Sequence, residues 1–277
     1  MELIKLSKRL LTVANMVTKG NVVADIGTDH GYLPIYLVQN NISEHVIAMD
    51  VNKGPLNKAL LNIGQFHLEN KIDIRLSDGL DNLEKDEANT VTICGMGGKL
   101  IAKILECGKN KISQDIELIL SPQSEIQLFR EYLLQNGYRI VKEDMIIDDG
   151  KFYVFIKCFL NIEIRQSETV LCKANQIETN QIEVNKVGTN QIEVNKVETN
   201  QVEVNKVETN QVEVKYGKYL LEHKNDILKQ YLMREQKGFL KIRENVDNCN
   251  SVLAEERIKE IDYELSCIKE GLNYYEM

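Results

Sequence analysis

Short apolar runs alternate with longer amphipathic stretches along the first 160 residues. Such runs favour buried strands, whereas apolar spacings of three and four residues favour helices. The pattern predicts seven strands, over 22–26, 45–50, 72–76, 90–94, 117–121, 138–147 and 152–159. Segments of helical length separate the first five strands, which predicts a parallel sheet with helices on both faces.

The last two predicted strands are joined directly by Asp148-Asp149-Gly150, a hairpin turn that makes them antiparallel. The chain is therefore predicted to form a Rossmann-like α/β fold whose parallel sheet ends in an antiparallel hairpin. Nicotinamide-binding domains normally end with another parallel strand, so this ending disfavours a dehydrogenase.

A ten-residue sequence repeats almost unchanged from Thr179, Thr189 and Thr199, and partly from Thr209. Its apolar positions hold only Ile or Val, which bury too little surface to offset the entropy of ordering. We expect 175–214 to be a flexible or poorly ordered insertion. A β-solenoid with one short strand per copy is the alternative.

The C-terminal region, 217–276, has apolar residues at three- and four-residue steps that predict two helices. The seam residues are Leu228, Leu232, Phe239, Ile242 and Val246 in the first helix, and Ile258, Ile261, Leu265, Ile268 and Leu272 in the second. A polar break at 248–251 separates the helices, with Asn250 or Ser251 as the cap of the second one. This pattern is typical of an antiparallel coiled-coil hairpin.

The two predicted helices carry opposite charge. Seven basic residues stand against three acidic ones over 218–243, and the numbers are reversed over 251–276. Mutual attraction of the helices and solvated faces would explain this pattern without a ligand. A stripe of RNA-binding cations on the first helix would explain it equally well, so both interpretations stay open.

Composition excludes several classes of protein. Hydrophobic residues make up 43% of the 277-residue chain and charged residues 27%, as in globular proteins. No apolar run reaches the roughly 18 residues of a membrane span, and the N-terminus lacks a signal-peptide core, so we expect a cytoplasmic protein. The six cysteines form no Cys-x-x-Cys pair and the four histidines have no ligand spacing, so no metal site is expected.

The segment 22–34 predicts a strand, a tight turn and the start of a helix. Gly27 and Gly31 carry no Cβ, so the backbone of this turn can approach a ligand closely. The helix that follows has unpaired N–H groups at its N-terminus. Chains built in this way bind an adenosine-containing cofactor at the carboxyl end of the first strand.

Three later strand ends indicate which cofactor this is. Asp50 ends the second strand, where an acid accepts both ribose hydroxyls of NAD or of S-adenosylmethionine. Asp78-Gly79 follows the third strand, a position typical of S-adenosylmethionine folds, where the carboxylate accepts from the adenine amine. Gly95-Met96-Gly97-Gly98 follows the fourth strand and leaves room for the methionine arm and a flat target base. Each motif alone is an ordinary turn or cap, but together with Asp25 they favour S-adenosylmethionine.

Polar and aromatic side chains also occupy the first turn. Asp29 is a candidate general base or ligand for a substrate amine, with helix capping as the alternative role. His30 suits either function near neutral pH. Simple packing is the alternative for both His30 and Tyr32.

Several of these motifs together resemble the bacterial tRNA (adenine-N1)-methyltransferases that modify position 22 of tRNA, which are class I S-adenosylmethionine-dependent enzymes. The motifs are Leu6-Ser7-Lys8-Arg9-Leu10, the block 25–34, Gly54-Pro55, 77–80, 95–98 and 148–153. The resemblance covers 1–160 densely and 217–277 more loosely, and the repeat departs from the family pattern.

The resemblance implies methyl transfer to N1 of an unpaired adenine in tRNA, by direct attack of N1 on the sulfonium methyl. Asp29 would act in catalysis by holding the exocyclic amine or stabilising the cationic product. The implied cofactor site contains Asp25, Gly27, His30, Tyr32, Asp50, Asp78, Gly79, Gly95, Met96 and Gly97. Arg9 would hold a phosphate or the methionine carboxylate. The implied RNA-binding residues are Arg9, Lys224, Lys229, Lys237 and Lys241.

The predicted domains are 1–160 for cofactor binding and catalysis, 161–216 for the repeat insertion and 217–277 for a tRNA-binding helical hairpin. Two other functions stay open. One is a methyltransferase acting on a small molecule or protein, with a homodimer formed through the hairpin; the net charge of −8 favours it. The other is a non-enzymatic adaptor, which the intact acids at 25, 50 and 78 disfavour.

Overall fold

The computed structural model describes residues 3–161, 210–247 and 252–276. Seven strands in these residues form one sheet in the order β3-β2-β1-β4-β5-β7-β6. The strands are β1 (Val23–Ile26), β2 (Val46–Asp50), β3 (Ile72–Leu76), β4 (Thr90–Met96), β5 (Glu117–Pro122), β6 (Tyr138–Asp148) and β7 (Lys151–Leu160). The first five are parallel, and β7 is antiparallel to both β5 and β6, which confirms the predicted fold class.

Helices cover both faces of this sheet. They are α1 (Lys8–Met16), α2 (Tyr32–Gln39), α3 (Lys53–Gln65), α4 (Gly98–Cys107) and α5 (Ile126–Gln135). Because side chains alternate along a strand, β2 contributes to two apolar clusters. Ile47 and Met49 pack with the α4–α5 layer, whereas Val46 and Ala48 pack with the α1–α3 layer.

The β6–β7 hairpin is longer than the strand beside it. Its turn is Asp149-Gly150, with φ of +49° and +72°, and Asp148 pairs with Lys151. The pairing of β5 with β7 runs only from Leu118–Cys158 to Leu120–Ile156. The tip of the hairpin therefore extends past the carboxyl end of β5.

Four helices follow, which are α6 (Gln211–Tyr216), α7 (Lys218–Glu222), α8 (Asp226–Asp247) and α9 (Val252–Asn273). The first helix predicted over 217–247 is thus broken, which corrects the prediction of two helices in this region. Lys224 has a positive φ of +50°, and the Asn225 side chain accepts from the backbone of Ile227 and Leu228 at 3.0 Å to cap α8.

Helix α6 contains the last, partial copy of the repeat. Val212 and Val214 are buried there against the body of the protein, which corrects the expectation of poor order for 210–214. The other copies, and the caps predicted at Asn250 and Ser251, lie outside the described residues. The predicted division into three domains stays a prediction.

Helices α8 and α9 form the predicted antiparallel hairpin. Arg243 pairs with Asp262 at 2.6 Å near one end, and Leu232 lies against Gly271 towards the other. The seam residues Leu228, Leu232, Ile261 and Ile268 are buried, but Ile242 is 41% exposed because the seam opens towards the hairpin tip. In the part of the chain that the structure describes, no helix is long and apolar enough to cross a membrane.

Candidate functional site

The predicted cofactor residues lie at one edge of the sheet, where the parallel strands end. β1 pairs with both β2 and β4, so the turns after Ile26, Asp50 and Met96 are neighbours. The turn after β3 joins them, because the Ser77 N–H donates to the Asp50 carbonyl at 2.9 Å. The tertiary structure therefore brings together motifs that are up to 70 residues apart in the sequence.

Asp25 lies beneath this edge and is only 6% exposed. Its carboxylate accepts a hydrogen bond from the Thr92 hydroxyl at 2.6 Å, across the β1–β4 pair. Burial raises the pKa of Asp25, and the nearby charge of Asp50 adds to this effect. Asp25 therefore joins β1 to β4 just before the turn that follows β1, and its contact with a cofactor stays a prediction.

In the turn after β1, the space over Gly27 is filled by the end of the Met96 side chain. Gly27 has a φ of +76°, and a Cβ there would overlap the terminal methyl group of Met96. The N–H groups of Gly27 and Thr28 both donate to the Met49 carbonyl at 2.8 Å, which fixes the turn on β2. The structure thus joins two predicted cofactor residues, Gly27 and Met96, in one contact.

The polar side chains of this turn form its exposed rim. Asp29 has 77% of its side chain exposed, and its carboxylate lies 3.3 Å from Nε2 of His30. The His30 ring stacks on Tyr32, with centroids 5.3 Å apart. Asn62 of α3 holds the rim in place by donating to the His30 carbonyl at 2.8 Å. The Asp29 carboxylate is therefore accessible from solvent, and the roles of Asp29 and His30 towards a ligand stay predictions.

The acids after β2 and β3 occupy well-defined turns. The Asp50 carboxylate accepts from the Asn52 N–H at 2.7 Å, which leaves its second oxygen for another donor. Asp78 is exposed, and the Ser77 hydroxyl fixes its turn by donating to the Gly79 carbonyl at 3.0 Å. Gly79 has a φ of +56° and lies against Ile104 of α4.

The glycine-rich segment after β4 is packed against the loop after β5. The strand continues to Met96, with an irregularity in its pairing around Gly95, so it is longer than predicted. A Cβ on Gly97 would lie 2.9 Å from the Ser124 hydroxyl, and the Gly98 N–H donates to the Ser124 carbonyl at 3.0 Å. Gly97 therefore serves close packing of two loops, and Gly95, which is exposed, leaves the space at the edge.

Arg9 reaches this edge from α1. Its guanidinium lies over the Tyr153 ring, 5.5 Å from the centroid. Burial raises the pKa of the Cys94 thiol, the charge of Asp25 raises it further, and the positive charge of Arg9 lowers it. The sequence analysis missed Tyr153 and Cys94 as neighbours of the site. The position of Cys94 at the end of β4, directly before Gly95, was the available signal.

The predicted RNA-binding lysines lie on the helical region, away from the sheet edge. Lys224 is at the break before α8, and the Lys229 ammonium lies 5.5 Å from the Tyr275 ring centroid. Lys237 and Lys241 are exposed, and no carboxylate of the described residues forms an ion pair with either. Arg243, in contrast, is paired with Asp262, so attraction between the helices accounts for part of the charge pattern.

No group of three or more His, Cys, Asp or Glu side chains within the described ranges could hold a metal ion. The candidate site therefore consists of glycine turns, carboxylates and one arginine.

Residues 6–156 match the model of the methyltransferase domain family. The tRNA (adenine(22)-N(1))-methyltransferase of Bacillus subtilis is 43% identical over 150 residues, which make up 54% of this chain and 63% of that protein. The chain thus aligns in sequence with less than two thirds of the length of this curated relative.

Solved structures match over a larger part of the chain. The B. subtilis M1A22 tRNA methyltransferase TrmK has a TM-score of 0.72 at 28% identity, with 97% of this chain and 99% of that chain covered. Streptococcus pneumoniae Sp1610 in complex with S-adenosyl-L-methionine has a TM-score of 0.70 at 27% identity, with 97% and 100% covered. The chain therefore belongs to the methyltransferase domain family, in the class I branch that contains the tRNA (adenine(22)-N(1))-methyltransferases.

Proposed function

We propose that this protein transfers the methyl group of S-adenosylmethionine to N1 of an adenine in tRNA, at position 22. Structural similarity carries the proposal, because the match to the B. subtilis tRNA methyltransferase covers 97% of this chain at a TM-score of 0.72. The arrangement of the predicted cofactor residues at one sheet edge supports it.

The residues at this edge fit S-adenosylmethionine. Asp50 has a free carboxylate oxygen for the ribose hydroxyls, and the exposed Asp78 is available to the adenine amine. The turn at Gly27 excludes a Cβ, which lets backbone atoms approach the methionine arm. When bound, S-adenosylmethionine supplies an electrophilic sulfonium methyl group.

Asp29 is the residue we assign to catalysis. Neutral adenine has a lone pair on N1, so no strong base is needed, but the methylated ring becomes cationic. The exposed Asp29 carboxylate would accept from the exocyclic amine of the target base and stabilise this developing charge. His30, 3.3 Å away, would hold the carboxylate in place.

The helical hairpin supplies cations for the tRNA backbone. Lys224, Lys229, Lys237 and Lys241 provide the charge along α8 and the break before it. The β6–β7 hairpin contacts this region on one face and α1 on the other, because Arg234 of α8 lies over Phe152, 5.6 Å from its centroid, and Arg9 lies over Tyr153 on the opposite face. A homodimer formed through the hairpin, and a cytoplasmic location, stay predictions.

The test is incubation of the purified protein with labelled S-adenosylmethionine and unmodified tRNA, followed by mass spectrometry of the nucleosides. We expect 1-methyladenosine, and sequencing of the product should place it at position 22. Cofactor binding by calorimetry without transfer to tRNA would contradict the proposal and favour a small-molecule or protein substrate.

The lysines can be tested separately. We expect replacement of Lys224, Lys229 and Lys237 by Ala to weaken tRNA binding and to reduce the slope of log K against log salt by about 2–3, with cofactor affinity unchanged. A matched control replaces Lys19, Lys71 and Lys85, three exposed lysines towards the opposite, amino edge of the sheet. Equal tRNA affinity of the two variants would rule out the assigned RNA contacts.

A further inference from the structure

A buried ion pair of the sheet domain holds the first two C-terminal helices. Nε of Arg130, on α5, donates to Glu143 of β6 at 2.7 Å, and the two side chains are only 3% and 1% exposed. Gly217, the residue between α6 and α7, lies directly against both charged groups. We call Arg130, Glu143 and Gly217 the joint.

The charges of the joint match the helix ends that they contact. Arg130 donates through Nη1 to the carbonyls of Val214 and Lys215, at 3.4 and 2.9 Å, near the C-terminal end of α6. Glu143 accepts from the Tyr219 N–H of the first turn of α7 at 3.2 Å. Cations favour helix C-termini and anions favour helix N-termini. Both contacts are therefore favourable as they stand, and they would be unfavourable if Arg130 and Glu143 exchanged places.

Gly217 allows the chain to turn over the ion pair. Its φ is +98°, and a Cβ there would lie 2.7 Å from both carboxylate oxygens of Glu143 and 2.8 Å from Nη2 of Arg130. No other residue fits without moving a buried charge. The angle between α6 and α7 is therefore set by the joint.

Helix α6 also contacts the helical hairpin, so the position of α6 determines the position of the hairpin. Lys215 pairs with Glu264 of α9 at 2.6 Å, and Glu213 accepts from the Tyr274 hydroxyl at 3.2 Å. The segment between α7 and α8 contacts β6 as well, because the Asn225 side chain donates to the Asp144 carboxylate at 3.5 Å. The remaining contacts between the sheet domain and these helices are mostly apolar, and apolar contacts allow small slides that directed hydrogen bonds do not.

We propose that Arg130 and Glu143 are positioning residues for the RNA substrate, because they fix the helical hairpin at one distance and angle from the methyl-transfer site. This inference rests on the proposed function, since it requires that the hairpin binds tRNA. Within the described residues, the hydrogen bonds of Arg130 and Glu143 run to each other and to α6 and α7, so their effect passes through these helices and the hairpin. Loss of the joint should lower productive tRNA binding and leave the cofactor site intact.

The main experiment uses the full chain with Arg130→Met and Glu143→Leu combined, which removes the pair without leaving one buried charge alone. We expect kcat/KM for tRNA to fall at least tenfold, mainly through KM, with the Kd for S-adenosylmethionine within twofold of the wild type. Amide exchange over 211–222 should accelerate at least tenfold, while exchange in β1–β5 stays unchanged. Gly217→Ala, which keeps both charges, should have the same effects if the double variant does not fold.

The control combines Lys157→Met with Glu117→Gln, which removes a second ion pair, at the amino end of β5, without leaving one buried charge alone. It should lower stability but leave kcat/KM for tRNA within twofold. The proposal is overturned if the joint variants keep wild-type kcat/KM, or if the control variant loses as much. If the wild type transfers no methyl group to tRNA, the proposed function is wrong. The joint variants are then compared by tRNA affinity alone, and unchanged affinity overturns the inference.

Discussion

Replacing Gly27 by Ala adds one methyl group at the centre of the cofactor turn. The residue keeps a left-handed backbone, φ +76°, which costs a residue with a Cβ about 1–2 kcal/mol. The new methyl also overlaps the Met96 methyl group, and the turn cannot relax because two N–H groups hold it on the Met49 carbonyl. Moving Met96 off its rotamer costs about 0.5–1.5 kcal/mol more.

Gly150→Ala is a matched control for this change. Gly150 has nearly the same φ, +72°, but nothing lies within 4 Å of its would-be Cβ. Gly150→Ala should lose about 1–2 kcal/mol of stability and Gly27→Ala about 1.5–3.5 kcal/mol, and each kcal/mol lowers the Tm of a chain of this size by about 2–4 °C. Only Gly27→Ala should also lose cofactor affinity, by about tenfold for 1.4 kcal/mol.

Calorimetric titration with S-adenosylmethionine and thermal unfolding of both variants separate the two effects. Adding Met96→Ala to Gly27→Ala removes the methyl group that collides, so affinity should recover if crowding by Met96 is the cause. If the affinity of the double variant for S-adenosylmethionine does not recover, the cofactor itself needs the space next to Gly27. Wild-type affinity of Gly27→Ala would refute the assignment of this turn to cofactor binding.

Three further predictions concern single side chains. Asp25→Asn keeps the acceptor for Thr92 but removes a buried charge. Because burial raises the pKa of Asp25, its stabilising contribution is present below the unfolded pKa of about 3.9 and is lost as pH rises. The Tm of Asp25→Asn relative to the wild type should therefore increase between pH 4 and pH 7. The same Tm difference at the two pH values would contradict this. Asp29→Ala should keep cofactor affinity and stability but lose turnover, and an active variant would exclude its catalytic role. Phe129→Ala should lower the free energy of unfolding by about 3–5 kcal/mol in denaturant titrations, since Phe129 is fully buried; a loss below 1 kcal/mol would refute this.

The strands could be predicted because their burial determines the pattern of apolar residues over a few consecutive positions. All five parallel strands begin and end within two residues of the predicted bounds. The central strands are covered on both faces and read as continuous apolar runs, whereas the edge strand β3 alternates apolar and charged residues. The hairpin was predictable because Asp149-Gly150 suits the positive φ values of a two-residue turn. Most of the predicted cofactor residues lie at or directly after the ends of these strands, so the same pattern led to them, and their roles stay predictions.

The break before α8 left a weaker trace. Asn225 followed by Asp226 is a helix start signal, but the apolar spacing of Leu221 and Leu228 suggested a continuous helix. The helix over 211–216 could not be predicted locally, because its sequence is a partial copy of the ten-residue repeat, for which we expected poor order. Burial of Val212 and Val214 against α5 and α9 stabilises it, and that is a property of the packed protein.

The sequence by itself determined the order of strands and helices, the parallel sheet with its terminal hairpin, and the family to which the chain belongs. These features depend on the periodicity of apolar residues and on glycines in turns, which act over a few neighbouring residues. Only the tertiary structure decided that Met96 fills the space over Gly27, that Arg9 lies over the Tyr153 ring, and that Arg130 and Glu143 are a buried pair. In the sequence, Arg130 and Glu143 resemble surface charges on an amphipathic helix and an edge strand. Their burial follows from the docking of α6 and α7, which depends on the packing of residues more than 70 positions away.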